Sequence, residues 1–111
     1  MESILTSIKK LLGIEEAYEH FDTDIMIHIN SAFMVLRQLG VGPAEGFRIT
    51  GSSETWDDYL GDSILLEGVK TYVYQKTRLM FDPPTSSAHM EAMKNAISEF
   101  EWRLNAEAES Y

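Results

Sequence analysis

Residues Asp22–Gly40 read DTDIMIHINSAFMVLRQLG, and this stretch decides the fold. Ile25, Ile29, Phe33, Leu36 and Leu39 recur at intervals of three and four, the spacing of one face of an α-helix. Met26, Ile27, Met34 and Val35 widen that face to most of the circumference. A helix apolar nearly all round is expected to be buried on several sides, which makes it the central element of a helical bundle. Asp22 or Thr23 is the candidate N-cap. Gly40 and Gly42-Pro43 end the helix, because glycine reaches the left-handed conformation and proline cannot continue the ladder.

Working outward, Glu2 to Leu12 carries Ile4, Leu5, Ile8, Leu11 and Leu12 at helical spacing, with Gly13 as a stop. A short core helix is expected. A membrane-surface helix is the alternative, but Lys9 and Lys10 beside Glu15, Glu16 and Glu19 match anionic lipid poorly. A polar stretch from Glu15 to Asp22 follows. On the other side, residues 44–61 are the least regular part: Phe47 and Ile49 alternate with Gly46, Arg48 and Thr50, which suggests a short extended piece. Ser52 or Ser53 then caps a turn or two through Trp56, Tyr59 and Leu60, closed by Gly61; Trp56 and Leu60, four apart, face the core together.

Asp62 or Ser63 is the candidate cap of the next helix, with Leu65, Val69, Tyr72, Val73, Lys76, Leu79 and Met80 on one face. It must stop near Asp82, because Pro83-Pro84 cannot continue it. Ser86 or Ser87 opens the last helix, where Met90, Met93, Ile97, Phe100 and Leu104 form a packing seam. That seam is read as core packing; its alternative is a face shared with a neighbouring subunit, anchored by Trp102 off the main stripe. Glu99 and Arg103 make a favourable i,i+4 pair. The tail, residues 105–111, is polar and expected to fray. The predicted fold is all-α: one domain over residues 1–111, with about four main helices and a short irregular connector between the second and third.

Composition narrows the function. At 111 residues the chain has room for one core, burying about 65% of its unfolded surface. With 44% apolar and 11% aromatic residues it is globular, and with no cysteine it has neither disulfides nor thiolate chemistry. Met1-Glu2-Ser3-Ile4-Leu5 lacks the pattern of a signal peptide, and no apolar run approaches the ~18 residues of a membrane span. A soluble protein made in a cytoplasm is expected. The net charge is −9, from 18 acidic and 9 basic side chains. Lys9-Lys10 is the only adjacent basic pair, so a groove that grips phosphates is disfavoured.

No constellation supports catalysis. Asp24 and His28 sit four apart on the central helix, but zinc needs three or four ligands, and His28 reads as an ordinary polar position. Asp57 and Asp58 diverge by about 100° on a helix and do not form a pre-aligned acid/base pair; acids in a first turn, favoured by the helix dipole, are the simpler reading. Gly40-Val41-Gly42-Pro43 follows a helix and lacks the Lys and Ser/Thr of a phosphate loop. Glu15, Glu16 and Glu19 read as a solvated face. Neither an enzyme nor a cofactor is expected.

Several runs stand together: Asp22-Thr23-Asp24-Ile25, Gln38-Leu39-Gly40-Val41-Gly42, Gly46-Phe47-Arg48-Ile49, Thr55-Trp56-Asp57-Asp58-Tyr59-Leu60-Gly61, Lys70-Thr71-Tyr72-Val73-Tyr74, Leu79-Met80-Phe81-Asp82-Pro83-Pro84 and Phe100-Glu101-Trp102-Arg103-Leu104-Asn105. In these the chain resembles the small head–tail connector (adaptor) proteins of tailed phages and prophages, over nearly its whole length. The resemblance implies a structural subunit of the virion neck, made in the bacterial host cytoplasm. About a dozen copies would form a ring beneath the portal protein, extend the DNA channel and present a platform to a stopper or tail-completion protein. DNA would pass through without specific binding, and about −100 formal charges on such a ring would favour sliding over sticking. A head-to-tail ring needs two different complementary patches per subunit. Phe47, Arg48, Ile49 and Tyr59 are the expected subunit contacts, with Trp56 in the core. Glu107, Ala108, Glu109, Ser110 and Tyr111 are the expected portal-docking tail. The competing reading is a helical DNA-packaging or regulatory protein that binds DNA; the scattered basic residues count against it.

Overall fold

The computed structural model describes residues 2–61 and 63–109. Five helices follow in order: α1 Ile4–Leu11, α2 Asp22–Gln38, α3 Trp56–Leu60, α4 Leu66–Phe81 and α5 Ser87–Glu109. Helix α2 packs against α1 and α4, and α4 packs in turn against α5. The result is a slab of 39 × 36 × 19 Å, the all-α bundle of four main helices predicted above, with α3 as the short fifth. Among the described residues no strand forms; Ser3 and Thr55 make a lone antiparallel bridge.

The central helix buries Ile25, Ile29, Ala32, Phe33 and Leu36. It is less enclosed than its composition implies, because Ile27 and Met34 remain 58% and 57% exposed. They lie seven residues apart, on one stripe of α2. A slab covers α2 on two flanks and leaves that stripe open. Leu11 and Met80, expected in the core, are likewise exposed.

The helix starts also depart from expectation. Phe21 occupies the N-cap position of α2 with no side-chain cap, and neither Asp22 nor Thr23 serves as one. Helix α3 is capped by Thr55, not by Ser52 or Ser53: Thr55 accepts from the Asp58 amide while the Asp58 carboxylate accepts from the Thr55 amide. This reciprocal box satisfies two otherwise orphaned donors. At α4 the cap position is Leu65, and the Ser63 hydroxyl accepts from the Leu65 amide at 3.2 Å; Asp62 lies outside the described residues. Ser86 accepts from the His89 amide and starts α5 as predicted.

Asp22 is instead engaged by a buried lysine. Lys9, only 2% exposed, pairs with the Asp22 carboxylate at 2.8 Å. The same ammonium donates to the carbonyls of Tyr18 at 2.7 Å and Glu16 at 3.0 Å. Two carbonyls thus take its protons and the Asp22 carboxylate supplies the counter-charge, which makes burial of the ammonium tolerable. One side chain of α1 thereby fixes both the loop into α2 and the first residue of α2.

The seam of α5 packs inside the chain. Met93, Ile97 and Leu104 are buried, and Met90 and Phe100 are half-buried. Between α4 and α5 the fully buried Tyr72 donates its hydroxyl to Glu101 at 2.7 Å, and Lys76 approaches the same oxygen at 3.3 Å. Helix α5 continues through Glu109, past Asn105, where fraying was expected. Asn105 donates to the Leu39 carbonyl at 3.1 Å. Ala108 packs against the core and comes so close to Gly40 that a Cβ there would stand 3.4 Å away. The end of α5 therefore covers the C-terminus of α2 and satisfies one of its free carbonyls.

Burial pushes the hydroxyls of Tyr59 and Tyr72 well above the ordinary tyrosine pKa, and the Glu101 carboxylate adds to the effect at Tyr72. Both hold their proton in the folded state at pH values where the unfolded chain ionises, near ~10. The stabilisation is complete below that pH and is lost as pH rises from there towards the folded values, at about 1.4 kcal/mol per pH unit for each tyrosine. Urea unfolding between pH 9 and 11 should show this fall, and Tyr72→Phe should make it shallower. A flat profile would contradict the burial of both hydroxyls.

Candidate assembly surface

The segment between α2 and α3 has no regular structure, yet each part of it is tied down. Such long irregular stretches within small domains commonly carry function. Phe47 stacks edge-on against Phe33 at 5.3 Å and lies 5.1 Å from the ring of Tyr59. Tyr59 also packs on Phe33 at 4.6 Å. Gly42 makes this possible: its φ is +89°, and a Cβ there would lie 2.7 Å from the Tyr59 ring. Two residues past Phe47, the Asn30 side chain of α2 clamps Ile49. Its amide donates to the Ile49 carbonyl at 3.0 Å and its carbonyl accepts from the Ile49 amide at 2.8 Å. One side chain thus does for this extended piece what a neighbouring strand would do, which explains why no strand forms.

Further along, the Glu54 carboxylate accepts from the Thr50 amide and, at 2.7 Å, from the Thr50 hydroxyl. Partial burial works to raise the pKa of Glu54, but these hydrogen bonds outweigh it and hold the group below the usual carboxylate value. The Glu54 carbonyl accepts from the Ile4 amide at 2.9 Å, which ties the segment to α1. At its start Arg37 donates to the Ala44 carbonyl at 2.8 Å.

The four expected contact residues consequently part company. Ile49 is 2% and Tyr59 5% exposed, and both belong to the hydrophobic core. Phe47 is half-buried, and Arg48 is exposed. Among the described residues Arg48 has no hydrogen bond or ion pair. A guanidinium held between two anchored neighbours, and left unpaired in a chain of net charge −9, is a ready contact for an acidic partner. Trp56 is in the core, as expected, and its indole donates to Ser7 at 2.9 Å. Of the expected docking tail, Glu107 and Glu109 are exposed on the last turns of α5 and Ala108 is half-buried. Ser110 and Tyr111 lie outside the described residues.

Sequence reasoning missed Lys9, whose fixed position was hidden behind the ordinary look of a Lys-Lys pair. It missed Asn30 too; a lone amide in an otherwise apolar helix was the available signal. The exposed large apolar side chains among the described residues are Leu11 on α1, Ile27 and Met34 on α2, Met80 on α4 and Trp102 on α5, with Tyr18 and Ile64 between helices; Ile64 is 83% and Trp102 71% exposed. Among the described residues no group of three or more His, Asp or Glu is placed to hold a metal ion, and no helix is long and apolar enough to cross a membrane.

The described surface presents several large apolar side chains and the unpaired Arg48 on an otherwise acidic helical slab, features that suit contacts with other proteins. The chain belongs to the phage connector protein family, whose pattern matches residues 4–111. Its role is that of a phage structural protein of the connector type. No curated protein and no solved structure matches it.

Proposed function

We propose that this chain is a ring subunit of the head–tail connector, seated between the portal and the stopper or tail-completion protein in the virion neck. The observation that carries this reading is the family match across residues 4–111, nearly the whole chain. The exposed, unpaired Arg48 and the outward apolar side chains fit a subunit that must meet several neighbours. In this reading Arg48 and the edge of Phe47 make the contact on the connecting segment, while Ile49 and Tyr59 hold that segment in shape from beneath. The last turn of α5, with Glu107, Ala108 and Glu109, docks onto the portal together with the residues that follow it in sequence, Ser110 and Tyr111. The excess of acidic side chains keeps passing DNA from adhering to the channel wall.

Removing the gene from a phage that encodes it should leave DNA-filled heads without tails, restored by supplying the protein in trans. Tailed, infectious particles without the protein would refute the assignment. Within the ring, Arg48→Glu should weaken assembly on the portal at least about tenfold, since the charge pair becomes a repulsion. The helical circular dichroism signal should not change, because Arg48 supports nothing in its own chain. Unaltered assembly would remove Arg48 from the interface.

A further inference from the structure

One flank of the slab carries an open groove of about 360 Å³ between α1, α3 and α4. Its walls are Ile8, Leu11, Trp56 and Leu66, and Glu2 and Asp57 stand at its rim. The one indole N–H in the wall is already satisfied by Ser7, so the groove suits an apolar occupant. Leu11 is 57% exposed beside the half-buried Leu66 and the buried Trp56, so the groove offers a continuous apolar wall.

The opposite flank carries the most exposed aromatic side chain among the described residues, Trp102. Helical geometry fixes the relation between the two. Gly68 of α4 faces α5, since a Cβ there would meet Phe100 and Leu104 at 3.8 and 3.7 Å. Leu66 and Lys70 of the groove lie two residues either side of Gly68, about 160° round the helix. Trp102 lies two residues from both Phe100 and Leu104, so it points about 160° away from α4. Groove and indole therefore look out from opposite sides of the subunit, the arrangement that a head-to-tail contact requires and a two-fold contact does not.

We propose that Trp102 of one copy inserts into the Leu11–Trp56 groove of a second copy of this chain, forming the lateral contact of the assembly. This rests on the connector reading and names the two patches that reading requires. Charge agrees with the docking. Arg103 flanks the indole, and its surface pair with Glu99, at 2.8 Å and about two-thirds exposed, is cheaply exchanged. Asp57 at the rim has no side-chain partner among the described residues and can accept it. A buried tryptophan beside an arginine is the usual composition of an interface hot spot.

The chain has no cysteine, so introduced thiols report contacts without background. Lys70→Cys places one at the groove, and Ser98→Cys places one a turn from Trp102 on its exposed side. Both proteins are mixed with the purified portal of the same phage and treated with a short bismaleimide. A cross-linked pair should form in the mixture and in neither protein alone, and Trp102→Ala in the Ser98→Cys chain should reduce its yield at least about tenfold. Linkage of Ser98→Cys to itself, or assembly on the portal without the mixed cross-link, would overturn the pairing while leaving the connector role standing. Failure of the unmodified protein to assemble on the portal would instead overturn the connector role, and the pairing with it.

Discussion

Replacing Lys9 with methionine is expected to cost about 3–5 kcal/mol of folding stability, the range for removing one partner of a buried ion pair. Methionine keeps most of the apolar stem, so packing is nearly conserved and the loss isolates the ammonium. Without it the carbonyls of Glu16 and Tyr18 lose their shared donor and the Asp22 carboxylate loses its counter-charge at once. In a domain whose whole stability is about 5–15 kcal/mol, this is a large fraction. The neighbouring Lys10 is the internal control. It pairs with Glu2 at 2.6 Å, and that hydrogen bond raises its pKa, but the lysine is 67% exposed. Lys10→Met should leave stability nearly unchanged, as expected for an exposed, solvent-screened pair. Urea unfolding of both variants measures the contrast; equal, small losses would show that the Lys9 clamp does not hold α1 to α2.

Phe33→Ala is expected to be as severe, about 3–5 kcal/mol, through the cavity it leaves. Phe33 is 1% exposed and touches three rings, Phe47, Trp56 and Tyr59. Its loss has a second consequence that an ordinary core truncation lacks. Phe47 and Tyr59 rest on it, so the connecting segment should loosen before the helices do. The expected signature is a stability loss accompanied by amide exchange around Phe47 and Arg48 that is faster than global unfolding explains. A loss of stability with the segment still protected would mean that the Asn30 clamp on Ile49 suffices without the aromatic cluster.

What could be read from the chain followed from how local each signal is. The periods of α2 and α5 lie in contiguous residues, and the breaks at Gly40, Gly42-Pro43 and Pro83-Pro84 are dictated by backbone chemistry, so the number and order of helices were legible. The exposure of Ile27 and Met34 was not, because periodicity ranks the faces of a helix but does not count the neighbours that cover them. Caps were misplaced where several candidates stood in a row. Thr55 prevails over Ser52 and Ser53 because Asp58 stands three residues on and closes the box. At α2 the competitor for Asp22 was Lys9, thirteen positions earlier, which no local rule reveals. Of the expected contact residues, Arg48 could be anticipated as an exposed charge. The burial of Ile49 and Tyr59 depended on Asn30 and Gly42, distant in sequence and recognisable only once folded.

Assembly with the portal is what the proposed role requires above all. The most direct test is the mass and shape of the full-length protein, alone and with purified portal of the same phage, by sedimentation velocity and electron microscopy. The expected result is a portal complex enlarged by many copies arranged as a ring that continues the channel, whether or not the free protein is monomeric. A portal that gains neither mass nor a new layer at saturating protein would contradict it.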